Sequence, residues 1–354
     1  MIMNNHRLNL ALGTVWLLAI PALLASPGPG MTTPPLQLVA STPMPGFTGD
    51  FDHFGADLRG NRLFLAAELA KTVEIFDLKT GARTGNIPGF GHPLVMHYLP
   101  ESDRLLVTDG GFPEGAPGAV QLVDCKTYRI INTLKLPAGV DHGAFNPVDQ
   151  CYYVESGPEV PGGDTHLLNI IDLKTFALVG RLTLPGESHE GMIVDRAGAK
   201  LYINLTGTDE VGVVDLKTRQ LIARWPLPAD AHVAHAIALD EENRRLFTVS
   251  RKPAGQFIVL DLDTGKVVAA LPCVGVNSDI SRDLAKQRIY ITGSDTVSVF
   301  AQHDADHYEH LAEVPSAYRA KSSIFVPELQ QLYVAASGKG KPDAKLQLLV
   351  FKTQ

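Results

Sequence analysis

Cysteine is scarce in this chain: three residues, Cys125, Cys151 and Cys273, in 354. Three scattered thiols cannot build a disulfide framework. With no Cys-x-x-Cys pair and no Cys-x-x-Cys-His run, neither a zinc-thiolate knuckle nor a c-type haem attachment is indicated. A Cys125–Cys151 bridge would leave Cys273 over and nothing demands it, so the three read as small buried hydrophobes. A basic surplus is missing too. Lys and Arg number 31 against 38 Asp and Glu, a formal charge of −7, which argues against electrostatic capture of nucleic acid. There is no G-x-S-x-G nucleophile elbow and no Walker loop.

Long apolar runs are absent but for one. Leu8 to Ala25 is interrupted by Asn9, Gly13, Thr14 and Pro21, follows His6 and Arg7, and ends at Ser26-Pro27-Gly28-Pro29-Gly30. A short positive end, an apolar core and a small-residue exit make a secretory signal over residues 1–25. Leu23 sits where cleavage prefers a small residue, so an uncleaved anchor is the alternative. Residues 26–35 read as a Pro/Gly-rich linker. Beyond the N-terminal segment no membrane span is expected, and the chain is expected to be periplasmic or secreted, and monomeric.

What is abundant is repetition. Val73-Glu74-Ile75-Phe76-Asp77 returns as Val120–Asp124, Leu168–Asp172, Val211–Asp215, Phe257–Asp261, Val297–Ala301 and Leu348–Lys352. From Asp77 to Lys352 the steps are 47, 48, 43, 46, 40 and 51 residues. A period of 40–50 residues built from short strands marks a β-propeller, one repeat per blade. The fold class predicted over residues 36–354 is therefore all-β: a seven-bladed β-propeller of four-stranded antiparallel blades.

One repeat shows how a blade is built. Gly191 to Asp195, Lys200 to Asn204, Val211 to Asp215 and Leu221 to Trp225 are four short runs rich in Val, Ile, Leu and Tyr, separated by turn residues. Their near-continuous apolarity suits sheets packed on both faces. Asp77-Leu78-Lys79-Thr80-Gly81 is turn chemistry. The Asp side chain bonds nearby backbone, and Gly takes the left-handed position. Asp261–Gly265 repeats it, whereas Tyr128, Phe176 and Arg219 replace Gly elsewhere. The last repeat stops after its third strand, so Leu36–Ala40 is expected to supply its fourth and close the ring, removing an open edge.

Leu201-Tyr202-Ile203-Asn204 before Val211–Asp215, and Arg288-Ile289-Tyr290-Ile291-Thr292 before Val297–Phe300, resemble YVTN repeats. Over about residues 36–354 the chain is similar to the YncE-like exported seven-bladed propellers. The resemblance implies a periplasmic or surface binding protein and carries no catalytic residue across. A nucleic-acid role proposed within that family sits poorly with the acidic balance here.

In a four-stranded blade, outer-to-inner and second-to-third connections share one face. His53, His92, His142, His189, His232 and His235 fall at the outer-to-inner connections, half of the chain's 12 histidines. Asp52, Asp141, Glu187 and Glu190 accompany them. At the sixth and seventh connections Asn277-Ser278-Asp279 and Lys321-Ser322-Ser323 stand instead. Loops Gly110–Ala119 and Ser156–His166 are read as the two longest second-to-third connections, rimming the same mouth. Arg251, Lys252 and Arg319 add positive charge there.

Three readings compete for this ring. Asp52, His53, His92, Asp141, His142, His189, Glu190, His235, Asp279 and Lys321 could bind a small polar ligand or a protein partner. The imidazoles of His53, His92, His142, His189 and His235 could instead hold a divalent metal, the one cofactor the pattern admits. Or the groups satisfy backbone at a crowded axis. Propeller lactonases resemble this fold and use such a mouth for hydrolysis, but His189 and Glu190 are neighbours on one chain and should point apart. The weight falls on a non-catalytic binding or interaction module. His303, His307 and His310 read as a solvated hairpin on the opposite face.

Overall fold

A computed structural model describes residues 34–354, apart from residues 114, 159–164, 187 and 342. The expected signal segment and most of the linker lie outside the described residues. Among the described residues twenty-eight strands, β1 to β28 in chain order, form seven four-stranded antiparallel sheets. Six blades each take four consecutive strands. The inner strands of all seven are β2 (Phe51–Asp57), β6 (Pro93–Leu99), β10 (Gly143–Asn146), β14 (Met192–Val194), β18 (His232–Asp240), β22 (Asp279–Asp283) and β26 (Ser322–Val326).

The seventh blade is closed from the other end of the chain. β1 (Leu36–Pro43) pairs antiparallel with β28 (Gln347–Thr353), from Leu36 opposite Thr353 to Pro43 opposite Gln347. Leu36 is buried among residues of the sixth and seventh blades. The Gln354 amide donates to the Pro35 carbonyl at 3.0 Å, and Arg288 donates to both Pro35 and Gln354 carbonyls. The expected ring closure is thus present, three residues longer than Leu36–Ala40.

The core lies between blades rather than inside a sandwich. Seven buried apolar clusters occur among the described residues, one at each blade–blade contact. This is why the strands read as continuous apolar runs. Tyr152, Tyr153, Tyr202, Tyr290 and Tyr333 of the second strands are fully buried there, each contributing roughly 1.5–3 kcal/mol. Cys125 and Cys151 belong to two different clusters, and all three cysteines are free.

The turns from third to fourth strand explain where the repeat keeps Gly and where it does not. All five positions are left-handed: Gly81, Tyr128, Phe176, Arg219 and Gly265 have φ between 51° and 70°. A Cβ on Gly265 would meet the Trp225 ring of the preceding blade at 2.1 Å, so no side chain fits. At the other three the side chain reaches the preceding blade. Phe176 packs into the cluster between second and third blades, and Arg219 donates to the Val179 carbonyl at 3.0 Å. An L-residue in this region costs roughly 1–2 kcal/mol, which those contacts offset.

Candidate functional site

The strands that line the axis present two unlike halves. On one side His53 is clamped between carboxylates, Nδ1 2.9 Å from Asp279 Oδ1 and Nε2 3.3 Å from Asp52 Oδ1. A register shift between Phe51 and Phe54 of β2 lets the adjacent Asp52 and His53 approach each other. Lys321 Nζ lies 3.8 Å from the same Asp52 oxygen. Burial alone would push the His53 imidazole down, but Asp279 and Asp52 outweigh it and raise it to about 10. Burial likewise opposes ionisation of Asp52, yet His53 and Lys321 hold its carboxyl below the ordinary value. This half is a charge-balanced set.

On the other side charges are suppressed. His142 Nδ1 lies 3.3 Å from Glu190 Oε2, 3.4 Å from Asp141 Oδ1 and 3.7 Å from Glu155 Oε1. His235 Nε2 approaches the same Glu190 oxygen at 3.0 Å. Burial pushes His142 down to about 3, with cationic His53 adding to it. It also holds His235 well below its ordinary value, with Arg251 adding to it. Glu190 is pushed up to about 7, and Glu155 well above its usual range, chiefly by burial. Burial thus favours the neutral imidazole at both positions. The rings of His53, His142 and His235 form an edge-to-face chain at centroid distances of 5.0 and 5.4 Å.

This half is also under-bonded. His142 Nδ1, His235 Nδ1, Glu155 Oε2, Glu190 Oε2 and Asp141 Oδ1 are sealed from solvent with no hydrogen-bond partner among the described residues. Buried polar groups are nearly always hydrogen-bonded, and leaving one unmade costs about 1–3 kcal/mol.

The cluster separates two spaces. A channel cavity of about 380 Å³ is lined by His53, His97 and Asp279 from the inner strands and by His142 just before β10. On the mouth side a cavity of about 520 Å³ is lined by Glu68, His92, Phe112, Asp141 and Lys339.

The sequence-predicted residues therefore part ways. Asp52, His53, Asp141, His142, Glu190, His235, Asp279 and Lys321 converge. His92 stays at the mouth, a third of its side chain exposed, with Nε2 3.2 Å from Glu68 Oε2. His189 turns away from its neighbour Glu190, both lying just before β14. Its Nε2–H donates to the Pro185 carbonyl at 2.9 Å, and Nδ1 lies 3.7 Å from Glu155 Oε2. His232 leaves the ring because Val233 adopts φ 58° and β18 shifts register between Ala234 and Ala236; it pairs outward with Asp209 at 2.7 Å. Arg251 and Arg319 are engaged, by Ser278 and the Asn277 carbonyl and by Asp50. The longest second-to-third connection among the described residues is 337–346 in the seventh blade, not the two expected. Glu187 and residues 159–164 lie outside the described residues. His303, His307 and His310 pair with Glu309, Asp304 and Glu313 at the exposed hairpin.

Glu155 is the residue sequence reasoning missed. It sits on β11 (Cys151–Ser156), only 2% exposed, between His142 and His189. A signal existed: the fifth residue of the other second strands is Ala66, Thr108, Asn204, Val249, Thr292 or Ala335, never charged.

No protein-family model matches the sequence, and no curated protein matches it. Among solved structures the chain is similar to one from the hydrazine synthase of Kuenenia stuttgartiensis, at 14% identity and a TM-score of 0.70, covering 87% of this chain and 97% of that one. It is also similar to a chain of a mitotic checkpoint complex, at 14% identity and a TM-score of 0.71, covering 90% of this chain and 95% of that one. At such identity the likeness establishes the fold. The class is a seven-bladed β-propeller repeat protein, and this chain carries a buried imidazole–carboxylate cluster on its axis. Among the described residues no helix is long and apolar enough to cross a membrane.

Proposed function

We propose that the chain is an exported binding protein of the YVTN-repeat, YncE-like kind, periplasmic or secreted and monomeric, that holds a small polar ligand at its axis. The observation that carries this reading is the set of sealed, unpartnered polar atoms on Asp141, His142, Glu155, Glu190 and His235. A cluster kept for stability would be hydrogen-bonded or apolar; one kept for a ligand leaves groups for the ligand to bond. Cavities on both sides give access.

A thermal-shift panel of small carboxylates, amines, amino acids, sugars and divalent cations tests it. A binder should raise the melting temperature of the wild type and leave His142→Ala unmoved. If no compound separates the two proteins, the axis is not a ligand site. A protein partner at the mouth, around His92 and Lys339, is the second kind of occupant the reading allows.

A hydrolase of the lactonase kind draws on one observation: Glu190, pushed up to about 7 by burial, suits proton transfer near neutral pH. Turnover of simple lactones by the wild type, lost in Glu190→Gln, would replace the binding reading with this one.

A further inference from the structure

The ligand at this axis can be named by class, an inference that rests on the binding reading above. We propose that His142, Glu190 and His235 form a mononuclear site for a divalent first-row transition ion, with zinc(II) the best fit. One donor atom from each of the three lies within 4.8 Å of the other two. Glu190 Oε2 stands 3.3 Å from His142 Nδ1 and 3.0 Å from His235 Nε2. Ligands at 2.0–2.1 Å from a tetrahedral zinc are separated by about 3.3 Å; the two distances to Glu190 Oε2 match this, and the two imidazole donors lie within 4.8 Å of each other.

The donor set narrows the metal. Two imidazole nitrogens and one carboxylate oxygen suit borderline ions; calcium and magnesium want all-oxygen shells, and copper(I) wants sulfur. Both imidazoles are buried at 7% exposure, within reach of the one Glu190 oxygen. An ion also gives the sealed His142 Nδ1 and Glu190 Oε2 a partner, which no protein donor among the described residues supplies. His142 also lines the 380 Å³ cavity, and water or a small ligand would take the fourth position of a tetrahedral shell. Asp141 Oδ1 and Glu155 Oε1 lie 3.4 and 3.7 Å from the same His142 Nδ1, so two further oxygens stand next to the site. His53 is not a ligand here, because both its ring nitrogens face carboxylates.

The test uses the whole exported chain, stripped with a chelator and dialysed. Cobalt(II) is titrated as a spectroscopic probe, and zinc affinity is measured by competition. The site predicts one ion per chain and a tetrahedral cobalt spectrum. Zinc affinity should fall on the order of 100-fold or more in His235→Ala and in the near-isosteric Glu190→Gln. The triple change His303→Ala, His307→Ala, His310→Ala should leave it alone. Should His235→Ala not melt cooperatively, Glu190→Gln decides. Binding lost in the surface triple variant but kept in Glu190→Gln would overturn the proposal, and so would wild-type binding no tighter than that of Glu190→Gln. If in either case the thermal-shift panel still found an organic ligand sensitive to His142→Ala, the binding function would stand and only the metal would fall.

Discussion

On the face that carries the third-to-fourth-strand turns, Asp77, Asp124, Asp172, Asp215 and Asp261 do one job. Each accepts from the amide and hydroxyl of the Thr three residues on, at 2.7–2.9 Å. Those bonds hold all five carboxyls below their ordinary value. At the axis, near the opposite face, Glu155 and Glu190 meet imidazoles; Glu155 Oε1 accepts from the His142 amide at 3.2 Å, and both carboxyls are pushed the other way by burial. The same residue class, repeated around the same ring, builds the fold at one end and is held in reserve at the other. A carboxylate that serves its own backbone is structural; one that is buried and under-bonded asks for a partner from outside.

That contrast can be broken in several places. The largest effect should come from removing the frame both faces share. Deleting residues 34–43 takes away β1 and opens the edge of β28, so the sharp thermal transition should be lost. A transition unchanged in the deleted protein would mean the ring does not depend on strand exchange.

The next tests whether unpartnered groups along the channel carry a cost. His97, on β6, is half-buried, its sealed Nδ1 has no partner among the described residues, and desolvation pushes it down to about 4. Its folded value lies below its unfolded one, so its contribution is intact above pH 6.5 and is lost as the pH falls toward 4. Between pH 7 and 4.5 the wild type should lose roughly 2.5 kcal/mol through this residue. Urea melts of His97→Leu at the two pH values should show a correspondingly smaller loss. Equal losses in both proteins would contradict it.

A smaller effect belongs to the turns. Asp215→Ala removes the bonds to Thr218 and should lower stability by about 1 kcal/mol. Asp124→Ala, in another blade, should add to it nearly independently. Strong non-additivity, measured by denaturant melts of the pair, would mean the turns are coupled across blades.

Much of this was legible in the sequence, for physical reasons that also mark where reading stops. Strand runs and turn motifs recur because every blade solves the same packing problem. The incomplete last repeat announced that Leu36–Ala40 belonged with it. The fate of individual histidines was not legible. His232 and His235 differ only by a left-handed Val233 and a register shift, and neither leaves a mark in residue type. Asp52 and His53 meet because of an irregularity between Phe51 and Phe54 that the sequence does not signal. Glu155 lay hidden in a run that otherwise reads as core, and only the column of equivalent residues exposes it.

The most direct test of the contrast compares melting temperatures of wild type, Asp215→Ala and Glu190→Gln, each with and without zinc. The account predicts a crossed pattern. Asp215→Ala melts lower yet keeps the full rise on adding zinc, whereas Glu190→Gln melts as high as the wild type or higher and gains nothing from zinc. If Glu190→Gln instead melted as low as the turn variant and still rose with zinc, the axial carboxylate would be one more structural group and the claim would be wrong.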